Sequence, residues 1–168
     1  ASISALPLTC ETMNDSWGFN ITDRNYKSTK QLIQYLVKAA GANANFLLNV
    51  GPMPDGTIQS EFTDTLKAIG QWMSQNGETI YGTRGGQIPP KDWGVFTAKG
   101  KTVYMHILKK PEEGNFIFIS ELKEKINKAF LFNGKKEVKF KQQPEGTFIY
   151  LDGIAFDPND TILQLELK

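Results

Sequence analysis

The sequence has 168 residues, 40% hydrophobic and 22% charged, with 19 Lys and Arg against 18 Asp and Glu. This is the profile of an ordinary globular chain, long enough for one domain or two small ones, and it excludes disorder, collagen and coiled coil. A net charge of +1 gives no basic field for nucleic acid and no cationic face for a membrane, while a single cysteine (Cys10) and a single histidine (His106) exclude an internal disulfide and a multi-histidine metal centre.

The opening Ala1-Ser2-Ile3-Ser4 has neither the basic stretch nor the apolar core of a secretion signal. Leu6 to Cys10 reads as a short buried strand, followed by a polar loop from Glu11 to Lys27. Ser28 and Gln31 have the spacing of a capping box, which predicts that a helix starts there. Leu32, Ile33, Leu36, Val37 and Ala40 form its apolar face, and Gly41 is placed to end it. Asn45 to Val50 reads as a strand, broken by Gly51-Pro52 and followed by a loop that carries the turn signal Asp55-Gly56. A second helix starts at Ser60 or Glu61, with Phe62, Leu66, Ile69 and Met73 on one face and Gly77 as its stop. Strand, loop and helix repeated twice imply βα units and a parallel sheet.

The remainder changes character. Gln87-Ile88-Pro89-Pro90 reads as a linker, because prolines fix an extended backbone. Strand-like runs follow at Trp93–Thr97, Thr102–Leu108, Asn115–Ile119, Lys128–Phe132, Glu137–Phe140, Thr147–Leu151 and Thr161–Lys168, with a hairpin signal at Asn133-Gly134. Short strands at regular spacing imply a β-sandwich. The expected division is therefore 1–88 and 89–168. Two βα units cannot close an eight-unit barrel, which takes about 250 residues, and their strands would be left with open edges. The first part is thus expected to need further chain around it, as the tail of a longer sequence would.

Three stretches carry a family likeness: Thr12-Met13-Asn14-Asp15-Ser16-Trp17-Gly18-Phe19, Phe46-Leu47-Leu48-Asn49-Val50-Gly51-Pro52-Met53-Pro54-Asp55-Gly56-Thr57-Ile58, and Asn76-Gly77-Glu78-Thr79-Ile80-Tyr81-Gly82-Thr83. In this order and spacing they resemble the α-L-fucosidases of glycoside hydrolase family 29. The resemblance implies the last units of a (β/α)8 barrel followed by a C-terminal antiparallel β-sandwich. It also implies retaining hydrolysis of α-linked fucose by two carboxyl groups about 5–5.5 Å apart, with no cofactor or metal. The implied partners are a fucosylated glycan and the remainder of the barrel.

The nucleophilic aspartate of the family belongs to an earlier strand. The acid/base glutamate expected just before the Thr9-Cys10 pair is absent, as though one residue had been dropped between Leu8 and Thr9. Glu11 is the nearest carboxylate and stands as the candidate acid/base, beside the alternative of a loop carboxylate that caps or solvates. Trp17, Asp15 and Asn49 are candidate substrate-binding residues: an indole for stacking on sugar, a carboxylate for a hydroxyl or a turn, and an amide at the end of a barrel strand. Cys10 reads as a small buried side chain, Trp72 and Trp93 as packing residues, and His106 as structural or exposed. Asn14, Asn20 and Asn159 each begin a glycosylation acceptor pattern. Two rival functions remain in view: a sandwich that binds carbohydrate without chemistry, and a fucosidase homologue inactive for want of its acid/base. For compartment, the resemblance implies a periplasmic or secreted protein if the source is bacterial and a lysosomal one if it is animal.

Overall fold

The computed structural model describes residues 7–112 and 114–168. Strand β1 (Leu8–Thr12) runs parallel to β2 (Asn45–Asn49), and helix α1 (Thr29–Gly41) crosses between them. The capping box forms as expected: the Ser28 hydroxyl accepts from the Gln31 N–H, and the Gln31 side chain accepts from the Ser28 N–H at 2.8 Å. The helix runs through Gly41, and the left-handed residue beyond it is Asn43, φ 56°. Helix α2 (Ser60–Asn76) starts without a side-chain cap and passes into a 3-10 turn at Gly77–Thr79.

The rest is antiparallel. Strands β3 (Arg84–Gly85), β4 (Gly94–Lys99), β5 (Thr102–Ile107), β6 (Phe116–Ile119), β7 (Ile126–Leu131), β8 (Phe140–Gln143), β9 (Gly146–Tyr150) and β10 (Thr161–Leu167) make two sheets, in the orders β3-β4-β5-β10-β7 and β6-β9-β8. Val103, Met105, Ile107, Leu163 and Leu165 of the larger sheet meet Ile117, Ile119 and Ile149 of the smaller one in a continuous apolar core. This is a β-sandwich: alternate residues of each strand point inward and the inner faces share one core.

Two expectations are adjusted. The run Glu137–Phe140 was expected as one strand of a hairpin. The structure keeps only a bridge from Glu137 to Phe130 and then carries the chain across to the smaller sheet as β8. The left-handed residues of that turn are Gly134 and Lys135 rather than the Asn133-Gly134 pair. Arg84 and Gly85, ahead of the expected division at 88/89, already pair with β4.

Helix α1 is the middle layer. Leu32 packs with Met13 and Phe62 on the side of the parallel strands, while Ile33 and Val37 pack with Val95, Tyr104 and Ile162 of the larger sheet. Contact here is backbone-close. A Cβ on Gly85 would lie 2.1 Å from the Gly41 carbonyl oxygen, so a larger residue there would push β3 off the helix.

The third family-like stretch, Asn76 to Thr83, lies at this junction. Asn76 Oδ1 accepts from Asn133 Nδ2 at 2.9 Å, and Glu78 Oε1 accepts from the Tyr104 hydroxyl at 2.9 Å. Burial first, and then the Glu78 carboxylate, push the Tyr104 phenol well above its ordinary range. The Thr79 carbonyl accepts from Thr97 Oγ1 at 2.7 Å. That hydroxyl oxygen is 3.1 Å from His106 Nε2, and His106 Nδ1 is 2.6 Å from Asp160 Oδ2. His106 is fully buried and Asp160 nearly so, at 0% and 3% exposure. The lone histidine is therefore structural and internal, held in a chain from helix turn to sheet to the segment before β10.

Candidate functional site

In parallel sheets ligands gather outside the carboxyl ends of the strands. Here those ends are Thr12 and Asn49, which face each other in the register. The loops that follow, 13–27 and 50–59, press together. A Cβ on Gly51 would lie 2.5 Å from the Gly18 carbonyl carbon, so the two loops touch through bare backbone. The Gly in each of the first two family-like stretches thus serves the same contact.

Asn49 donates from Nδ2 to the Trp17 carbonyl oxygen at 2.7 Å. The Trp17 side chain itself projects outward, with 59% of the residue exposed. The expected alternatives for Trp17 were a sugar-stacking ring and a packed core ring. Among the described residues no core encloses the ring.

Asp15 takes part in the loop's own scaffold. Its Oδ2 accepts from Asn25 Nδ2 at 3.0 Å, and its N–H donates to Asp23 Oδ2 at 3.0 Å. Asp23 is the hub that sequence reasoning missed. It also accepts from Ser16 Oγ at 2.7 Å and from the Asn25 N–H at 3.1 Å. The Ser16 hydroxyl, with the N–H groups of Asn25 and Asp15, holds the Asp23 carboxyl below its ordinary range. Thr57 does the same for Asp55, donating its N–H at 3.0 Å and its hydroxyl at 2.8 Å.

Glu11 stands elsewhere. Its register partner is Leu48, which packs in the helix-side cluster, so Glu11 shares the face opposite to that of Cys10 and Leu47. Lys27 Nζ lies 3.3 Å from Glu11 Oε1 and also donates to Thr12 Oγ1 at 3.2 Å and the Asn14 carbonyl at 2.8 Å. Lys27 thereby ties the end of β1 to the start of the loop. No sequence pattern marks a lone lysine before a capping serine as a brace.

The other face of the parallel pair is open. Cys10 is exposed, as are Leu8 at 57% and Leu47 at 44%. The expectation that Cys10 is buried is corrected: Leu8, Cys10, Asn45 and Leu47 form a row that no described layer covers. Trp72 is buried and Trp93 packs edge-on to Phe96, as packing residues do. Of the three glycosylation patterns, Asn14 is buried and Asp160 and Thr161 of the third are buried, leaving only Asn20-Ile21-Thr22 exposed. Among the described residues no group of three or more His, Cys, Asp or Glu is placed to hold a metal ion.

Comparison with known proteins places these features in a family. The family model described as "Alpha-L-fucosidase" matches residues 5–78. The chain is 35% identical over 136 residues to the tissue α-L-fucosidase of Bos taurus, covering 78% of this chain and 29% of that protein. To the α-L-fucosidase of Dictyostelium discoideum it is 30% identical, covering 82% of this chain and 32% of the relative. Among solved structures, α-L-fucosidase isoenzyme 1 from Paenibacillus thiaminolyticus superposes with a TM-score of 0.84 at 32% identity, over 95% of this chain and 39% of that one. The enzyme from Vibrio sp. strain EJY3 gives 0.83 at 30% identity, over 95% and 29%. The chain thus spans about three tenths of the length of the curated relatives it matches.

Proposed function

Because this chain belongs to the α-L-fucosidases of glycoside hydrolase family 29, we propose that it forms the C-terminal portion of an enzyme that releases terminal α-linked L-fucose from glycans. In this reading the parallel strands β1 and β2 with helices α1 and α2 are the last βα units of a (β/α)8 barrel, and strands β3 to β10 are the sandwich that braces them. In the same reading the row Leu8, Cys10, Leu47, exposed here, faces the barrel interior. The observation that carries the reading is the contact of the two loops beyond Thr12 and Asn49, which sets the Trp17 ring outward at the strands' carboxyl ends.

The chemistry divides accordingly. Retention needs a carboxylate nucleophile and a carboxylic acid about 5–5.5 Å apart. In this reading the nucleophile and the proton-donating acid both come from barrel strands beyond these residues. This chain supplies one wall of the pocket: Trp17 offers an apolar face to a sugar ring, Asn49 fixes the loop that carries it, and Asp15 stiffens that loop. Glu11 is assigned to bracing β1 with Lys27, not to proton transfer, since it shares the helix-side face with Leu48.

A chimera tests this. Residues 7–168 would replace the corresponding segment of the Paenibacillus enzyme, and turnover of a chromogenic fucoside would be measured. The chimera is expected to fold and to bind fucose. Trp17→Ala in it should lower kcat/KM about tenfold, whereas Glu11→Gln should change it less than threefold. A loss of several hundredfold with Glu11→Gln, with the fold intact, would overturn the bracing assignment. The inactive-homologue reading has its own observation, the gap between Leu8 and Thr9. If it holds, inserting a glutamate there raises turnover of the chimera by orders of magnitude.

A further inference from the structure

The outer face of the smaller sheet is unusual for a sandwich. Phe116 and Phe118 of β6 lie opposite Tyr150 and Phe148 of β9, while the intervening Ile117, Ile119 and Ile149 point into the core. Four aromatic rings therefore stand on the side that normally carries polar residues. Phe116 and Phe118 are 44% and 40% exposed. Their rings lie 5.5 and 4.7 Å from the Phe148 ring, tilted by 56° and 47°. Phe118 is held over bare backbone, since a Cβ on Gly146 would lie 2.7 Å from its ring.

Polar groups flank the rings on the β8 side. Lys141 of β8 is opposite Phe148, and Lys139 is bonded through its carbonyl to the Tyr150 N–H at 2.9 Å. With Glu137 and Asp152 they line a shallow groove along Tyr150. Donors and acceptors of both signs beside a row of rings complement a polyol better than a net charge.

The size of the patch narrows the occupant further. A phenylalanine buries about 150–250 Å² when enclosed, so two rings open at 44% and 40% leave on the order of 200 Å² of apolar surface. A stable protein partner needs about 800 Å² on each side. This face is too small for a second copy and is the size of one or two sugar rings. It also lies across the sandwich core from α1, on the side away from the parallel strands.

We propose that the outer face of the β6-β9-β8 sheet is a carbohydrate-binding platform, on which one or two rings of a neutral glycan stack against Phe118, Phe148 and Phe116 while Lys141, Lys139 and Asp152 meet their hydroxyls. It is separate from the pocket at the parallel strands and stands or falls independently of it.

The 168-residue chain would be run in native gels containing fucosylated xyloglucan, and titrated with 2′-fucosyllactose while amide chemical shifts are followed. Retardation is expected, with shifts at residues 114–119 and 139–152. Phe148→Ala and Phe116→Ser should each weaken retardation at least fivefold, Phe148→Tyr should restore most of it, and Lys67→Ala, on the exposed side of α2, should change it less than twofold. Phe116 lies on an edge strand, so its substitution remains informative if Phe148→Ala unfolds the sheet. The proposal is overturned by an absence of retardation, by shifts confined to residues 13–27, or by retardation unchanged in the Phe116 variant. Binding of phosphatidylserine vesicles in place of glycan, or self-association that Phe116→Ser abolishes, would equally overturn it.

Discussion

The parallel pair β1/β2 and the antiparallel pair β5/β10 are built from similar apolar residues and end in opposite conditions. Met105, Ile107, Leu163 and Leu165 are at most 1% exposed, whereas Leu8 and Leu47 are 57% and 44% exposed. Strands β5 and β10 each have hydrogen-bonded neighbours on both edges, with helices on one face and the smaller sheet on the other. Strands β1 and β2 have each other and one face of helix. Apolar burial yields roughly 25 cal/mol per Å² only when another layer supplies the cover. The sandwich contains its own cover, and the parallel pair has only half of it.

Several substitutions sharpen this contrast. Leu163→Ala opens a cavity in the sandwich core and should cost about 2–5 kcal/mol in chemical denaturation. Asp160→Ala leaves a buried His106 ring nitrogen without its hydrogen-bond partner and should cost about 1–3 kcal/mol by the same measurement. Equal stability of either variant and the parent would break the view that the sandwich is the stable body. Ser28→Ala removes the capping box and should cost about 1 kcal/mol, read as faster amide exchange in the first turn of α1. Leu47→Ala, on the open face, should change stability by less than about 0.5 kcal/mol in the chain alone.

The smallest effect is a titration. Asp23 has its carboxyl depressed by Ser16 and neighbouring N–H groups, so its contribution to loop order is present above the ordinary carboxylate range and lost as pH falls through the depressed value. Exchange in residues 13–27 should rise over that acidic window, and Asp23→Asn should abolish the dependence.

Much of the architecture was legible in the sequence because local rules agreed with it. The capping box, the apolar stripe of α1 and the strand-like runs at β4 to β7, β9 and β10 each predict what forms. The path of residues 137–140 was not legible. Their pattern fits a strand in either sheet, and the Gln142 side chain, which accepts from the Ile126 N–H at 2.8 Å, helps seat β8 where it lies. At the candidate site, Trp17 and Asn49 could be named, but their link passes through a main-chain carbonyl that no side-chain pattern encodes. Glu11 could be named as a carboxylate, but which face it takes depends on the parallel register, where one residue of shift reverses every side chain. Asp23 and Lys27 were invisible for a related reason. Their partners lie 7 to 16 residues away across an irregular loop.

Turnover of a chromogenic α-L-fucoside by the purified 168-residue chain, with no other polypeptide present, tests the account most directly. No release above the uncatalysed rate is predicted, because in the proposed reading the nucleophile belongs to barrel strands beyond these residues. Sustained turnover by this chain alone, abolished by a single substitution within it, would contradict the account.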